Sequence, residues 1–399
     1  MKLEPRTRNQ EPSGANKNLV LGSLFLLLSL VLGPWFLVPY LSADEDSPTQ
    51  KHEQTQYERR LKMLGDRYSH ATAGTVEFPQ ELMAVDYINE GYKLFQKNQY
   101  DMALEAATQA LQYDSKSPVA HELAGDILYL KQDLAGANEH YLTAFSLEPV
   151  ARLKDKLLKL SKETVTEKDL NTVEEVHFLI KYDRNQSEYE GFELRTLLNE
   201  TYLGVARDLG HYLNHKTTVL FYDPKQFHQV GDLPHWVGGL FDGKVRLPVN
   251  PRQLGEKQLR AVTRHEVAHV FIDDISHKRA PIWLHEGFAV FQENKVMPVS
   301  AHALRVLADP KKLIPFADLF NPATFEKHKD DQAWMQLFYM ESYDFVDSII
   351  GRYGIFYIKQ LALAFGEDKN VEQAIQDVFK ASIDKMEQEW KASLASTYR

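Results

Sequence analysis

The segment HEVAH (265–269) carries two histidines and a glutamate at a spacing that suits a metal site. It lies within EKQLRAVTRHEVAHVFID (256–273), whose periodicity predicts a helix. Because residues advance about 100° along a helix, His265 and His269 lie one turn apart on one face, where both imidazoles can bind one Zn²⁺. Glu266 follows His265 and can reach a water on the same ion.

A third ligand is predicted on a second helix. Pro281 prevents the first helix from continuing, and the next helix starts near Trp283 and carries Glu286. Sixteen residues separate His269 from Glu286, enough for a reversal that returns the carboxylate to the histidines. Three protein ligands leave a fourth position for water, as in catalytic zinc sites. The alternative is an ordinary helix with satisfied polar histidines. The segment HYLNH (211–215) has the same histidine spacing without the glutamate, and we interpret it as surface.

The composition limits the kinds of site and partner. The chain has 399 residues, enough for two or three domains. It contains no cysteine, so any metal must be held by histidines and carboxylates. The formal net charge of −10 argues against nucleic acid as the main partner, because a phosphate-binding surface needs clustered lysine and arginine.

An apolar segment near the N-terminus predicts a membrane anchor. LVLGSLFLLLSLVLGPWFLVPYL (19–41) has 23 residues without a charge, and a membrane-spanning helix needs about 20. Lysine and arginine precede it and acidic residues follow it, so the N-terminus is expected in the cytoplasm and the bulk of the chain on the periplasmic or extracellular side. Residues 1–43 are then the cytoplasmic N-terminus and anchor, and residues 44–80 a polar stalk. A signal peptide cleaved after Ala43 is the alternative.

Residues 84–149 repeat with a period of 34. Small residues recur at equivalent positions, where they let paired helices pack closely: Gly91 and Gly125, Ala103 and Ala137, Ala110 and Ala144. The pattern resembles two tetratricopeptide (TPR) repeats, although Ser115 stands where the closing proline of the first unit is expected. Since two units are fewer than a stable stack needs, ARLKDKLLKLSKE (151–163) is expected to cap an all-α array over 81–165. The array is either a helical spacer or a surface for a protein partner.

The periodicity after residue 172 predicts an α+β domain with a mostly antiparallel sheet. EEVHFLIKYD (174–183) and TTVLFYD (217–223) have the composition of strands, and 191–210 between them has helical spacing. HWVGGLFDGKVRLPV (235–249) predicts a hairpin with a type I′ turn at Asp242-Gly243. A last helix over 371–390 is expected to pack on the domain and to carry no chemistry.

HEVAH (265–269) with WLHEG (283–287) resembles the gluzincin metallopeptidases, in particular the peptidase MA-like domains that are often joined to TPR repeats. The resemblance runs over 173–399 and implies an α+β zincin-like metallopeptidase domain. It implies one Zn²⁺ per chain with His265, His269 and Glu286 as ligands, and Glu266 as the general base.

The resemblance also implies residues that act on a polypeptide substrate. Gly238, Gly239 and Leu240 would belong to an edge strand that pairs with an extended substrate. Tyr339 would stabilise the oxyanion; Tyr343, one turn further, is the alternative, and both also fit the pattern of core tyrosines.

The sequence therefore predicts a membrane-anchored zinc metallopeptidase whose TPR-like repeats recruit a protein substrate or partner. The exopeptidase pattern G-x-M-E-N is absent from the sequence, which favours endopeptidase action. His285 departs from the family pattern, where asparagine is frequent. Asp273 is either an orienting group behind a ligand or a solvent-facing helix end. The alternative function is a membrane-tethered TPR adaptor whose zinc domain is inactive or acts on a non-peptide substrate.

Overall fold

The computed structural model describes residues 80–184, 188–222, 240–247, 255–309 and 311–397. The predicted membrane anchor and nearly all of the stalk lie outside these ranges. Within them, no helix has both the length and the apolarity that a membrane crossing requires.

Five helices form the N-terminal part of the described chain. They are α1 Gln80–Gln96, α2 Tyr100–Tyr113, α3 Pro118–Leu130, α4 Leu134–Leu147 and α5 Ala151–Glu167. Helix α3 starts as a new helix after α2 because Ser117 caps it and Pro118 occupies its first turn, a position that tolerates a missing N–H. Successive helices pack on each other along the chain.

The small residues of the repeat are required by this packing. A Cβ on Gly91 would lie 2.8 Å from Leu123 Cδ2, and a Cβ on Gly125 would lie 2.6 Å from the Tyr141 ring. The equivalent alanines of both units are fully buried. Helix α5 packs on the second unit through Leu153 and Leu160.

A five-stranded sheet follows, with strand order β1-β2-β3-β5-β4. Its elements are β1 Leu170–Glu174, β2 Phe178–Asp183, α6 Glu188–Leu209, β3 Thr217–Phe221, β4 Leu240–Phe241 and β5 Val245–Leu247. The pairs β1–β2 and β4–β5 are antiparallel, whereas β2–β3 and β3–β5 are parallel. The expectation of a mostly antiparallel sheet is therefore wrong: helix α6 carries the chain back across the sheet, so β2 and β3 run in the same direction.

The predicted hairpin is present, but its turn differs. Phe241 pairs with Val245, so three residues, Asp242 to Lys244, connect the strands. A type I′ turn needs positive φ at both central residues, and here Gly243 alone has it, at 88°. The prediction of a type I′ turn is wrong because Asp242 and Lys244 are held by ion pairs with Lys159 and Glu163 of α5.

The remaining helices share one apolar core with the sheet. They are α7 Glu256–Ile275, α8 Ile282–Asn294, α9 Ala301–Leu304, α10 Phe316–Leu319, α11 Pro322–His328, α12 Gln332–Tyr353, α13 Phe356–Gly366, α14 Val371–Phe379 and α15 Ile383–Thr397. The single helix expected over 371–390 is two helices, because Lys380 adopts a left-handed conformation that ends α14. Both helices nevertheless pack on the domain, and Trp390 is buried in the core.

Candidate metal centre

Helix α7 holds both histidines of HEVAH in the protein interior. It packs between α6, α8 and the strands β4 and β5, and is buried almost continuously from Ala261 to Ile275. His265 is 7% exposed and His269 1%, and both rings face the same side. The chain then reverses through a short turn in which His277 and Lys278 have positive φ, and α8 starts after Pro281. This is the reversal that the sequence predicts.

The reversal brings Glu286 to the two histidines. Its Oε2 lies 3.6 Å from His265 Nε2 and 3.9 Å from His269 Nε2. One ligand atom from each of the three side chains lies within 4.8 Å of the other two. Donor atoms around a tetrahedral zinc ion, each about 2.0–2.2 Å from it, are roughly 3.3–3.6 Å apart. The distance from Glu286 to His265 has this spacing, and the distance from Glu286 to His269 is 0.3 Å longer, so the three side chains lie close enough to share one ion after a small adjustment.

The chemistry of the donors also fits zinc. Glu286 Oε2 is buried and, among the residues that the structure describes, has no hydrogen-bond partner. A buried carboxylate oxygen in this state is costly unless a cation compensates it. Burial and the neighbouring His265 and His285 hold the pKa of His269 well below its usual value, so its imidazole is neutral and able to bind a metal.

Glu293 is an orienting group that sequence reasoning missed. His265 Nδ1 donates to Glu293 Oε2 over 3.2 Å, which leaves Nε2 facing Glu286. Burial lowers the pKa of His265, but the carboxylates of Glu286 and Glu293 outweigh it and raise this pKa to about 10. The signal was available, since Glu293 follows Glu286 by seven residues and therefore lies on the same face of α8.

Glu266 is buried within electrostatic reach of His265, Glu286 and Glu293. It is 3% exposed, and its Oε2 has no hydrogen-bond partner in the described part of the chain. Burial, together with the carboxylates of Glu286 and Glu293, raises the pKa of Glu266 to about 8 despite the opposing charge of His265. A carboxylate of this kind can exchange a proton with a water or a leaving group near neutral pH.

Other candidate residues have different surroundings from those expected. Asp273 is buried and binds Lys278 Nζ over 3.1 Å, so it neither orients a histidine nor faces solvent. His211 and His215 are partly buried against Asp274, so the surface interpretation of HYLNH holds for Tyr212 and Asn214 but is wrong for the two histidines. The His285 ring lies 5.6 Å from that of His269, and burial lowers its pKa to about 3, but it is not among the three clustered donors.

Helix α12 brings a tyrosine to the site because it packs very closely on α8. A Cβ on Gly287 would lie 2.3 Å from the Ser342 carbonyl oxygen, so no larger residue fits between the helices without a shift. Tyr339 is 1% exposed, and burial and then the charges of Glu286 and Glu266 raise its pKa well above its usual value, so the hydroxyl lies within electrostatic reach of these carboxylates. Burial also raises the pKa of Tyr343, but the carboxylates that add to this shift are Asp347 and Asp344, on its own helix.

The described part of the hairpin borders the same site. β4 is the last strand in the sheet order, and Leu240 pairs with Arg246 of β5. The Phe241 ring lies nearly parallel to the His269 ring, with centroids 6.5 Å apart. Gly238 and Gly239 lie outside the described residues.

Comparison with known families agrees with this geometry. Residues 201–396 match the family model described as Peptidase MA superfamily. The match starts inside α6 and contains all three clustered donors, Glu266 and Tyr339, and it supports a peptidase MA-like domain over these residues. The helices α1 to α5 precede it. No curated protein matches the chain at a significant level.

Proposed function

We propose that this chain is a zinc-dependent metallopeptidase of the gluzincin type, with His265, His269 and Glu286 as the zinc ligands. The observation that supports it most is the approach of Glu286 Oε2 to both imidazole Nε2 atoms, at 3.6 Å from His265 and 3.9 Å from His269. A zinc ion bound there supplies Lewis acidity, which polarises a peptide carbonyl and acidifies a water.

The residues around the ligands have separate roles in this proposal. Glu266 accepts a proton from the attacking water while the oxygen of that water bonds to the carbonyl carbon. It then gives that proton to the amine nitrogen when the carbon–nitrogen bond breaks. Tyr339 donates a hydrogen bond to the carbonyl oxygen while that oxygen carries negative charge. The outer edge of β4 at Leu240, the last strand of the sheet in the described part of the chain, pairs with an extended polypeptide, which suits endopeptidase action.

The rest of the chain is proposed to deliver substrate and fix location. The TPR-like helices α1 to α5 recruit a protein substrate or partner. The segment 19–41 anchors the chain in a membrane, with the catalytic part on the extracytoplasmic side. Both proposals rest on the sequence.

Metal content and hydrolysis test the central proposal. We would measure zinc in the full-length chain, purified in detergent, beside His265→Ala and Glu266→Gln. About one zinc per chain is expected in the wild type and in Glu266→Gln, and none in His265→Ala. Hydrolysis is followed by mass spectrometry on a peptide library from a digested cell lysate, which also separates internal from terminal cleavage.

The Glu266→Gln variant decides the chemistry. It is expected to lose activity by about 10²–10⁴-fold while it keeps its zinc, because only the proton transfer is removed. Zinc missing from wild-type protein after metal is supplied would refute the ligand set. If the chain binds zinc but shows no hydrolysis that Glu266→Gln abolishes, the membrane-tethered adaptor is favoured instead.

A further inference from the structure

Two segments far apart in the sequence carry matching charge patterns. Along one face of α5, charged residues recur every four positions: Lys159, Glu163 and Glu167. Along one face of the β4–β5 hairpin they recur every two positions: Asp242, Lys244 and Arg246. The proposed mechanism uses none of these residues.

The structure brings the two patterns into register. Lys159 Nζ lies 2.5 Å from Asp242 Oδ2, and Arg246 Nη2 lies 3.0 Å from Glu163 Oε1. Lys244 Nζ lies 3.3 Å from the other oxygen of Glu163. Glu163 and Lys244 are 0% exposed and Arg246 is 1% exposed. Charges buried this deeply remain only where they are paired, so the hairpin cannot slide along α5 without leaving one of them unpaired.

Helix α3 completes the contact. The Tyr129 hydroxyl donates to Glu163 Oε1 over 2.7 Å and accepts from Arg246 Nη2 over 2.7 Å. Its ring centroid lies 3.5 Å from Lys244 Nζ. At the tip of the hairpin, a Cβ on Gly243 would lie 2.8 Å from Leu130 Cδ2. The hairpin therefore lies against α3 and α5 from its tip to Arg246.

The opposite face of the hairpin contacts the metal centre. Val245 and Leu247 belong to the core that the sheet shares with α7. Phe241, paired with Val245, lies beside the His269 ring. Strand β5 is thus buried on both faces, one by the core and one by the helical array. The position of β4 relative to His269 depends on both.

A second contact keeps the array in place at the other end of α7. Asn98 Nδ2 donates to Asp274 Oδ1 over 3.0 Å, and Arg279 Nη2 donates to Gln96 Oε1 over 3.0 Å. This contact joins the turn between α1 and α2 to the reversal after α7. It does not involve the hairpin, so it provides a matched control.

We infer that the helical array forms part of the substrate-binding site, in which Tyr129 and Glu163 are positioning residues that hold the β4–β5 hairpin beside His269. The inference rests on the proposed function insofar as β4 pairs with substrate. The array then does more than recruit a partner: α3 and α5 form the outer support of the strand that aligns the polypeptide.

Amide hydrogen exchange of the full-length chain in detergent tests the support directly. Tyr129→Phe removes one hydroxyl and leaves every charged pair in place. We expect exchange in peptides that cover 240–247 to become about tenfold faster, because the variant loses a buried hydrogen bond to charged groups. Exchange within 256–275 stays unchanged. The control Gln96→Ala removes a contact between the array and the reversal after α7, and it leaves 240–247 at the wild-type rate.

Glu163→Gln is the stronger variant, and Tyr129→Phe keeps the test decisive if Glu163→Gln fails to fold. Unchanged exchange over 240–247 in Tyr129→Phe would overturn the inference. So would a uniform increase along the whole chain, because that would show a loss of general stability rather than release of the hairpin.

Kinetics on the peptide library give the second readout. Tyr129→Phe is expected to raise KM by about three- to tenfold with kcat nearly unchanged, because strand pairing binds substrate and transition state alike. A fall in kcat with KM and zinc content unchanged would contradict a positioning role. If wild-type protein hydrolyses nothing, the proposed function fails, while the exchange result still decides whether the array holds the hairpin.

Discussion

Gly287 is predicted to be the residue that least tolerates a small substitution near the metal centre. It directly follows Glu286 on α8, where α12 approaches most closely. In Gly287→Ala the new methyl group would lie 2.3 Å from the Ser342 carbonyl oxygen and 2.6 Å from Val346 Cγ2. Val346 can change rotamer, but Ser342 O belongs to the α12 backbone, so the two helices must separate locally by about 1 Å to restore ordinary contact.

Two opposing terms set the magnitude. Alanine is favoured over glycine within a helix by about 1 kcal/mol. Overpacking against an unyielding neighbour costs about 1–3 kcal/mol. We therefore expect Gly287→Ala to lower the free energy of unfolding by up to about 2 kcal/mol, and a loss of that size lowers the Tm by about 4–8 °C for a domain of this size. Because metal ligands tolerate displacements of only about 0.2 Å, zinc affinity should fall at least about tenfold.

Gly351→Ala is the matched control. Gly351 lies on the exposed side of α12, and its added methyl group would meet nothing within 4 Å. It should raise stability by about 0.5–1 kcal/mol and leave zinc affinity unchanged. Chemical denaturation and chelator competition measure both quantities. If Gly287→Ala were as stabilising as Gly351→Ala and kept its zinc, the argument that close helix packing places Glu286 would be refuted.

Three further changes test separate parts of the site. Tyr339→Phe should lower kcat by about 10²–10³-fold with zinc content unchanged, whereas Tyr343→Phe should have little effect; equal losses in steady-state assays would contradict the assignment. Glu293→Ala should weaken zinc binding by about 10–100-fold in chelator competition, because His265 loses its orienting carboxylate; unchanged affinity would show that the bond is dispensable. Burial raises the pKa of Glu341 to about 8, so its protonated form is favoured in the folded state, and stability falls as pH rises from about 4.5 to 8. Glu341→Gln should remove that fall in stability. Chemical denaturation at pH 5 and pH 8 checks this, and a decline in the variant equal to that of the wild type would disprove the role of Glu341.

The parts of the site that were predictable depend on short-range geometry. The positions of His265 and His269 follow from helical spacing, and Pro281 limits where Glu286 can lie. Glu293 could have been found by the same rule, because it lies two turns after Glu286. The proximity of Tyr339 was not available from spacing. It depends on a close crossing of α8 and α12, which Gly287 permits but does not specify by itself.

The wrong predictions about the fold concern features that depend on long-range pairing. Local composition identified β2 and β3 as strands, but their relative direction depends on how α6 crosses the sheet. The hairpin was found from Asp242-Gly243, yet its turn type was wrong, since Asp242 and Lys244 are fixed by helix α5 rather than by the turn itself. Lys380 ends α14 in a left-handed conformation for which the apolar spacing of 371–390 gave no signal.

The charged face of the hairpin shows why such contacts escape sequence reasoning. Alternating Asp242, Lys244 and Arg246 on a strand predict a face turned to solvent, and in an isolated sheet that interpretation would be correct. Here α5, about 80 residues earlier, provides the opposite charges and excludes water. An apolar face would allow the hairpin to pack on α5 in several registers. Buried charges at fixed intervals are all paired in a single register. The face of α3 and α5 that holds the hairpin is therefore closed to any other protein, so a partner recruited by the array must bind elsewhere on it.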